Sequence, residues 1–388
     1  MKKSNATVGL YLHLPFCLRK CLYCDFCSFP NQTPDTVHRY VTRLCDELVA
    51  RAPSVHERPV DTVYFGGGTP TLLPAGEFDR LLDTIHRHYA VSEDAEITTE
   101  CNPATADRQK LTALRSLGVN RLSIGAQSAV EEELRALGRV HTFDQARQTV
   151  EDARAAGFDN LSLDLMYGIP HQTVKSFERT LREVLSLSPE HISAYSLIVE
   201  PGTPFYERQN TLALADEDTV CDMTALCLAM LRERGYERYE ISNFARAGFA
   251  SRHNERYWTL DDYLGFGIAA HSLLSLSPAS GDGTVARRTQ NGTDLSAYLA
   301  GKPVSEPEEE LTLAQLRDES VMLGLRLTAG IDKRAFAERF GQEFDQVYGP
   351  SAAPFVRMGL LHDTPERIAF TDDGFAVSNS VLSEMLFD

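Results

Sequence analysis

Four of the chain's 8 cysteines fall within eleven residues, Cys17-Leu-Arg-Lys-Cys21-Leu-Tyr-Cys24-Asp-Phe-Cys27. Thiolates are soft metal ligands, and such density on one short segment argues against a disulfide framework. The other four, Cys45, Cys101, Cys221 and Cys227, are scattered through periodic segments. A structural zinc site takes four ligands, commonly as two separated pairs, whereas here one loop would have to wrap all four around one ion. An iron–sulfur cluster is larger and spreads its ligands, so closely spaced thiolates suit it. Three thiolates on a four-iron cube leave one iron open to a further ligand. The spacing favours the cluster and leaves zinc and redox-active or incidental cysteines as alternatives.

Short apolar runs at 8–14, 61–66, 96–101, 121–127, 160–167 and 191–199 predict strands. Amphipathic patterns at 37–53, 76–90, 106–117, 129–157 in two pieces, and 173–187 predict the helices between them. This is a βα repeat six units long, which requires a parallel sheet; periodicity alone does not choose between an open, partial barrel and a doubly wound sheet. In either, ligands sit at the carboxyl ends of the strands. There the sequence places the cysteine loop, Gly66-Gly67-Gly68-Thr69-Pro70, Glu100-Cys101-Asn102-Pro103, Gln127-Ser128 and Asp164.

After residue 200 the repeat fades into a helix at 215–234, an aromatic stretch His253-Asn-Glu-Arg-Tyr257-Trp258, and a Ser-, Gly-, Pro- and Glu-rich segment at 275–310 that reads as a loop. Residues 311–388 read as a small helical, winged-helix-like unit with a hairpin-like run from Gly359 to Thr371. The expected division is therefore 1–245, 246–305 and 306–388. With 388 residues, 43% of them hydrophobic, the chain can bury a sizeable core. A net charge of −17 argues against a sequence-independent grip on nucleic acid. No apolar run reaches the ~20 residues a membrane span needs. His13, Pro15 and bulky Phe16 break the apolar run before Cys17, against a secretory leader, and a reducing cytoplasm is the expected compartment.

Cys17-x3-Cys21-x2-Cys24, with Tyr23 before the third cysteine, resembles the signature of the radical S-adenosylmethionine (SAM) enzymes. The resemblance implies a partial (β/α)6 barrel and a [4Fe–4S] cluster on Cys17, Cys21 and Cys24. It further implies SAM on the open iron, where in that superfamily one electron from the cluster cleaves it to a 5′-deoxyadenosyl radical, and an electron donor as partner; whether this chain cleaves SAM is left open by the sequence. Tyr11-Leu-His-Leu-Pro-Phe-Cys17, Phe65-Gly-Gly-Gly-Thr-Pro70, Arg121-Leu-Ser-Ile-Gly-Ala-Gln127, Leu137-Gly-Arg-Val-His141 and Asp164-Leu-Met-Tyr-Gly-Ile-Pro170 resemble, in order, blocks of the oxygen-independent coproporphyrinogen III dehydrogenase branch. By that resemblance Gly67, Gly68 and Thr69 meet the methionine amino group. Glu100, Asp164 and Gln127 meet the ribose, Arg139 meets the methionine carboxylate, and Tyr11 packs beside the cluster.

Two activities exist within that branch. The dehydrogenase motif resembles Cx3Cx2CxC and follows a substantial N-terminal segment; here Phe26 stands at the last cysteine position and ten residues precede Tyr11. A Cys-Asp-Phe ending and an HNxxYW block are instead similar to the HemW-like heme chaperones, which implies heme as cargo and a heme-acceptor protein as partner. Under that resemblance His253 is a candidate iron ligand, Tyr257 and Trp258 candidate porphyrin contacts, and Cys27 a spare thiol.

Overall fold

The computed structural model describes residues 7–276, 284–302 and 305–387. The first residues of the stretch weighed as a leader, and 277–283 and 303–304 of the expected loop, lie outside the described residues. Six strands form the frame: β1 (Val8–Leu14), β2 (Pro59–Gly67), β3 (Ala90–Cys101), β4 (Arg121–Gln127), β5 (Leu161–Tyr167) and β6 (His191–Ser196). They pair in parallel, each with the next. Helices α1 (Pro34–Arg51), α2 (Ala75–His88), α3 (Arg108–Ser116), α4 (Glu131–Ala136), α5 (Phe143–Ala155) and α6 (Val174–Ser186) fill the crossovers. Local chemistry starts them: Thr33 and Asp107 cap α1 and α3, and Thr142 with Gln145 and Thr173 with Ser176 form capping boxes on α5 and α6.

The sheet continues beyond the repeat. The order is β12-β11-β10-β9-β1-β2-β3-β4-β5-β6-β8-β7, with β7 Glu237–Arg238, β8 Asn243–Ala245, β9 Tyr263–Phe266, β10 His271–Ser275, β11 Thr284–Asn291 and β12 Ser305–Thr312. β9 lies parallel to β1, and β10, β11 and β12 add on antiparallel. The segment expected as a loop thus holds two strands. They are polar because they form the sheet's outer margin: Arg287 and Arg288 face Glu310 and Glu309 across the register, at 3.2 and 2.8 Å.

Residues lining a single cavity alternate along consecutive strands: Glu100 on β3, Arg121, Ser123 and Gly125 on β4, Asp164 and Met166 on β5, Ser193 and Tyr195 on β6. A flat sheet could not bring these faces to one space, so the sheet wraps it, as a partial barrel does. The opposite faces pack an apolar layer against the helices, with Leu122, Ile124, Leu163 and Ile192 fully buried. From Leu313 onward, helices Leu313–Gly324, Lys333–Phe340 and Gly349–Arg357 surround a three-stranded antiparallel sheet (Ile331–Asp332, Arg367–Phe370, Leu361–Asp363), the helices-plus-wing arrangement expected.

Candidate functional site

The cavity at the strand ends measures about 390 Å³, within the usual ~300–1,000 Å³ of small-molecule sites. Cys17, Cys21 and Cys24 all line it, with free thiols. Cys27 does not line it; it packs against the main core. A strut explains the difference. The buried His13 ring bonds the Cys27 carbonyl through Nε2 (2.8 Å) and the Tyr11 hydroxyl through Nδ1 (3.0 Å), fixing the loop's return limb. Tyr11 therefore reaches the cysteine loop indirectly, stacked on Tyr64 inside the barrel, and does not line the cavity.

The donor set fits an iron–sulfur cube. Among the described residues, no three His, Cys, Asp or Glu side chains gather at one ion-sized point. The three thiols share the lining of one cavity, the donor set that a cube with one open iron takes. The Arg139 guanidinium lies 3.6 Å from the Cys21 sulfur and the Thr69 hydroxyl 3.8 Å from that of Cys17. Arg139 also donates to the Gly125 carbonyl (2.7 Å) and to the Asn102 side chain, while its Nε has no partner among the described residues.

The glycine turn has a structural duty of its own. Gly67 has φ +107°, and its N–H donates to Glu100 (3.1 Å). Gly68 N–H donates to Leu14 O (2.9 Å) and Thr69 N–H to Phe16 O (2.7 Å), stitching the turn to the lead into Cys17. A Cβ on Gly68 would lie 2.6 Å from the Phe16 carbonyl oxygen.

Two carboxyls sit deeper in the cavity. Glu100 accepts from the Tyr64 hydroxyl (3.1 Å) and from Gly67; burial and then the nearby Asp164 push its pKa up to about 7. Asp164 accepts from the Ser123 hydroxyl (3.0 Å to each oxygen) and from Ser162 (3.2 Å). Burial raises its pKa, against the pull of these hydroxyls and of Arg121. Gln127 ends β4 at φ +64°, beyond a register shift, a strained backbone position of the kind found at functional sites. Gly67, Gly68, Thr69, Glu100, Gln127, Arg139 and Asp164 are thus brought to one cavity.

Apart from Asn254, the aromatic block does not line the cavity. His253 is 1% exposed, and its ring bonds Thr62 through Nδ1 and the Tyr257 hydroxyl through Nε2, both at 2.9 Å. Burial pushes its pKa down to about 3. Both ring nitrogens are hydrogen-bonded in this geometry, and neither Tyr257 nor Trp258 lines the cavity. These residues lie on α8 (Arg252–Thr259), α7 being Glu217–Glu233; from α8 only Asn254 reaches the cavity. The sequence reading also missed Arg121, 1% exposed with an unpartnered Nε, and His13. The signal for Arg121 was its polarity on the alternating inner face of Arg121-Leu-Ser123-Ile.

A wrapped parallel sheet with a three-thiol loop at its carboxyl end defines a radical SAM protein. Accordingly, residues 11–184 match the Radical SAM superfamily and residues 311–377 the HemN C-terminal domain. The chain is 36% identical, over 97% of its length and 98% of the relative's, to the heme chaperone HemW of Bacillus subtilis. It is 32% identical to HemW of Escherichia coli, over 98% of each. The structure superposes on coproporphyrinogen III oxidase (HemN) of Escherichia coli, a radical SAM enzyme, with a TM-score of 0.84 and 25% identity, covering 98% of this chain and 90% of that one. The chain belongs to the HemW family of radical SAM proteins.

Proposed function

We propose that this protein is a heme chaperone, binding heme and handing it to an acceptor protein. The observation that carries the reading is similarity along nearly the whole chain to proteins named heme chaperones, at 36% and 32% identity. Phe26 standing at the extra cysteine position of the dehydrogenase motif agrees with it. In this reading Cys17, Cys21 and Cys24 hold a [4Fe–4S] cluster, and Gly67, Gly68, Thr69, Glu100, Gln127, Arg139 and Asp164 hold SAM. When bound, cluster and SAM supply one-electron reductive chemistry fed by an electron donor. The chain's own residues orient the nucleoside by two buried acceptors, Glu100 and Asp164, and set a cation, Arg139, beside Cys21.

The second reading is the dehydrogenase, which the superposition on coproporphyrinogen III oxidase favours. The experiment that separates them is stoichiometric heme titration of the wild type and of a Cys17/Cys21/Cys24 triple alanine variant, with coproporphyrinogen turnover assayed alongside. Expected are about one heme per chain in both proteins and no turnover by the wild type. Robust decarboxylation without saturable heme binding overturns the chaperone reading.

A further inference from the structure

We propose that heme docks on the lip of the cavity, on the cysteine loop itself, with its macrocycle against Leu18 and Phe26 and its propionates on Arg19 and Lys20. This rests on the chaperone reading and names its cargo site. Two large apolar side chains on this one loop face solvent: Leu18 is 53% and Phe26 68% exposed. Exposed aromatic and aliphatic surface at a cavity mouth marks a binding face. Arg19, Lys20 and Phe26 line the mouth, and Tyr195, 41% exposed, lines it from β6.

Charge supplies the second argument. The chain carries −17 overall, yet the loop from Cys17 to Cys27 has two cations and one acid, Asp25. Among the described residues neither Arg19 nor Lys20 forms a hydrogen bond or an ion pair, with Asp25 or any other residue. Two cations without an ion-pair partner, Lys20 also lying close enough to the Cys24 and Cys27 thiols to offset part of the rise that burial gives their pKa, sit beside an apolar surface and are complementary to a flat apolar ring that bears two carboxylates on one edge. Both nitrogens of His253 are engaged, and the cavity of about 390 Å³ is the space assigned to a nucleoside-bearing cofactor. An open lip also suits cargo that must leave again.

The test titrates cluster-loaded protein with two probes: heme, and heme dimethyl ester, which lacks the propionate charges. The wild type should bind the ester about tenfold more weakly, as expected for two exposed charge pairs at up to ~1 kcal/mol each. Arg19→Ser/Lys20→Ser should lose that preference, weakening heme to the ester's level while leaving the ester unchanged. Phe26→Ser should weaken both probes. Cluster absorbance is read in every variant; the two-probe comparison in the wild type decides the propionate contact even if a variant loses its cluster. Equal affinity of the two probes in the wild type, an unchanged preference in the double variant, or an unchanged Phe26→Ser variant overturns the lip site and leaves the chaperone reading standing. Absence of any saturable heme binding by the wild type overturns that reading itself.

Discussion

Glu100 keeps an acid where water is scarce and a second carboxyl is near, which is why its pKa rises to about 7. As a proposed acceptor for ribose hydroxyls it bonds best when ionised, because charge-assisted hydrogen bonds are worth ~1.5–3 kcal/mol against ~0.5–1.5 for neutral ones. Glu100→Ala should therefore weaken SAM binding by roughly tenfold to a hundredfold. In the wild type, affinity should rise as pH climbs through about 7, since the raised pKa keeps the group protonated below that point. Glu100→Gln should bind weakly with no such rise. Calorimetric SAM titrations at pH 6, 7 and 8 check both, and a pH rise that survives in Glu100→Gln removes Glu100 from the site. Glu100, Asp164 and the three cysteines were legible in the sequence because residue type and position at a strand end agree. His13 was not, because one histidine in an apolar strand carries no mark of the carbonyl it will hold. The hydrogen-bond partners of His253, Thr62 and Tyr257, likewise become visible only in three dimensions.

The six strands of the repeat were legible because each carries a short cluster of buried apolar residues bounded by turn signals; β1 is the fullest case, with a single half-buried residue, Tyr11. β11 and β12 were not, because Thr-Val-Ala-Arg-Arg-Thr-Gln-Asn and Ser-Glu-Pro-Glu-Glu-Glu-Leu-Thr are mostly polar: backbone pairing and cross-strand charge hold them, and few apolar residues, such as Ala286 and Leu311, are buried. The turn after β2 joins two elements that sequence separates by some fifty residues. Gly68 lies against the backbone of Leu14 and Phe16, so any Cβ there pushes on main chain rather than on a yielding side chain. Gly68→Ala should cost about 1–3 kcal/mol and, by shifting Phe16 and Cys17, lower iron incorporation. Gly76→Ala is the contrast: no atom lies within 4 Å of its added Cβ, it sits in α2, and the change should stabilise by about 0.4–1 kcal/mol. Thermal melts with iron analysis check the pair, and a Gly68→Ala protein with wild-type melting and iron content contradicts the contact.

Across the whole molecule, buried ionisable groups pull stability in opposite directions with pH. His13, His141, His191 and His253 are all depressed by burial, His141 to about 4 and His253 to about 3. They are neutral in the folded chain and take up protons only on unfolding, so their contribution is present above the unfolded value near 6.5 and is lost as pH falls below it. Glu100 and Glu240 are raised to about 7 by burial, and Glu240, 1% exposed, has one carboxyl oxygen without a partner. Their sign is reversed. The folded state holds the proton between about 4.5 and 7, so stability falls as pH rises through that window and levels off above it. The four histidines outweigh the two carboxyls below about pH 7, and both effects fade above it, so resistance to urea should climb from pH 5 and level off near pH 7. Glu240 sits where the barrel meets the C-terminal unit, bridged by backbone to Leu327, away from the cavity. Glu240→Gln removes a contribution that falls as pH rises from 5 to 7, so it should steepen the rise over that range by roughly 1–3 kcal/mol. Urea midpoints at half-unit steps from pH 5 to 8 provide the test: a rise between pH 5 and 7 no steeper in Glu240→Gln than in the wild type would show that Glu240 is not held protonated by the fold.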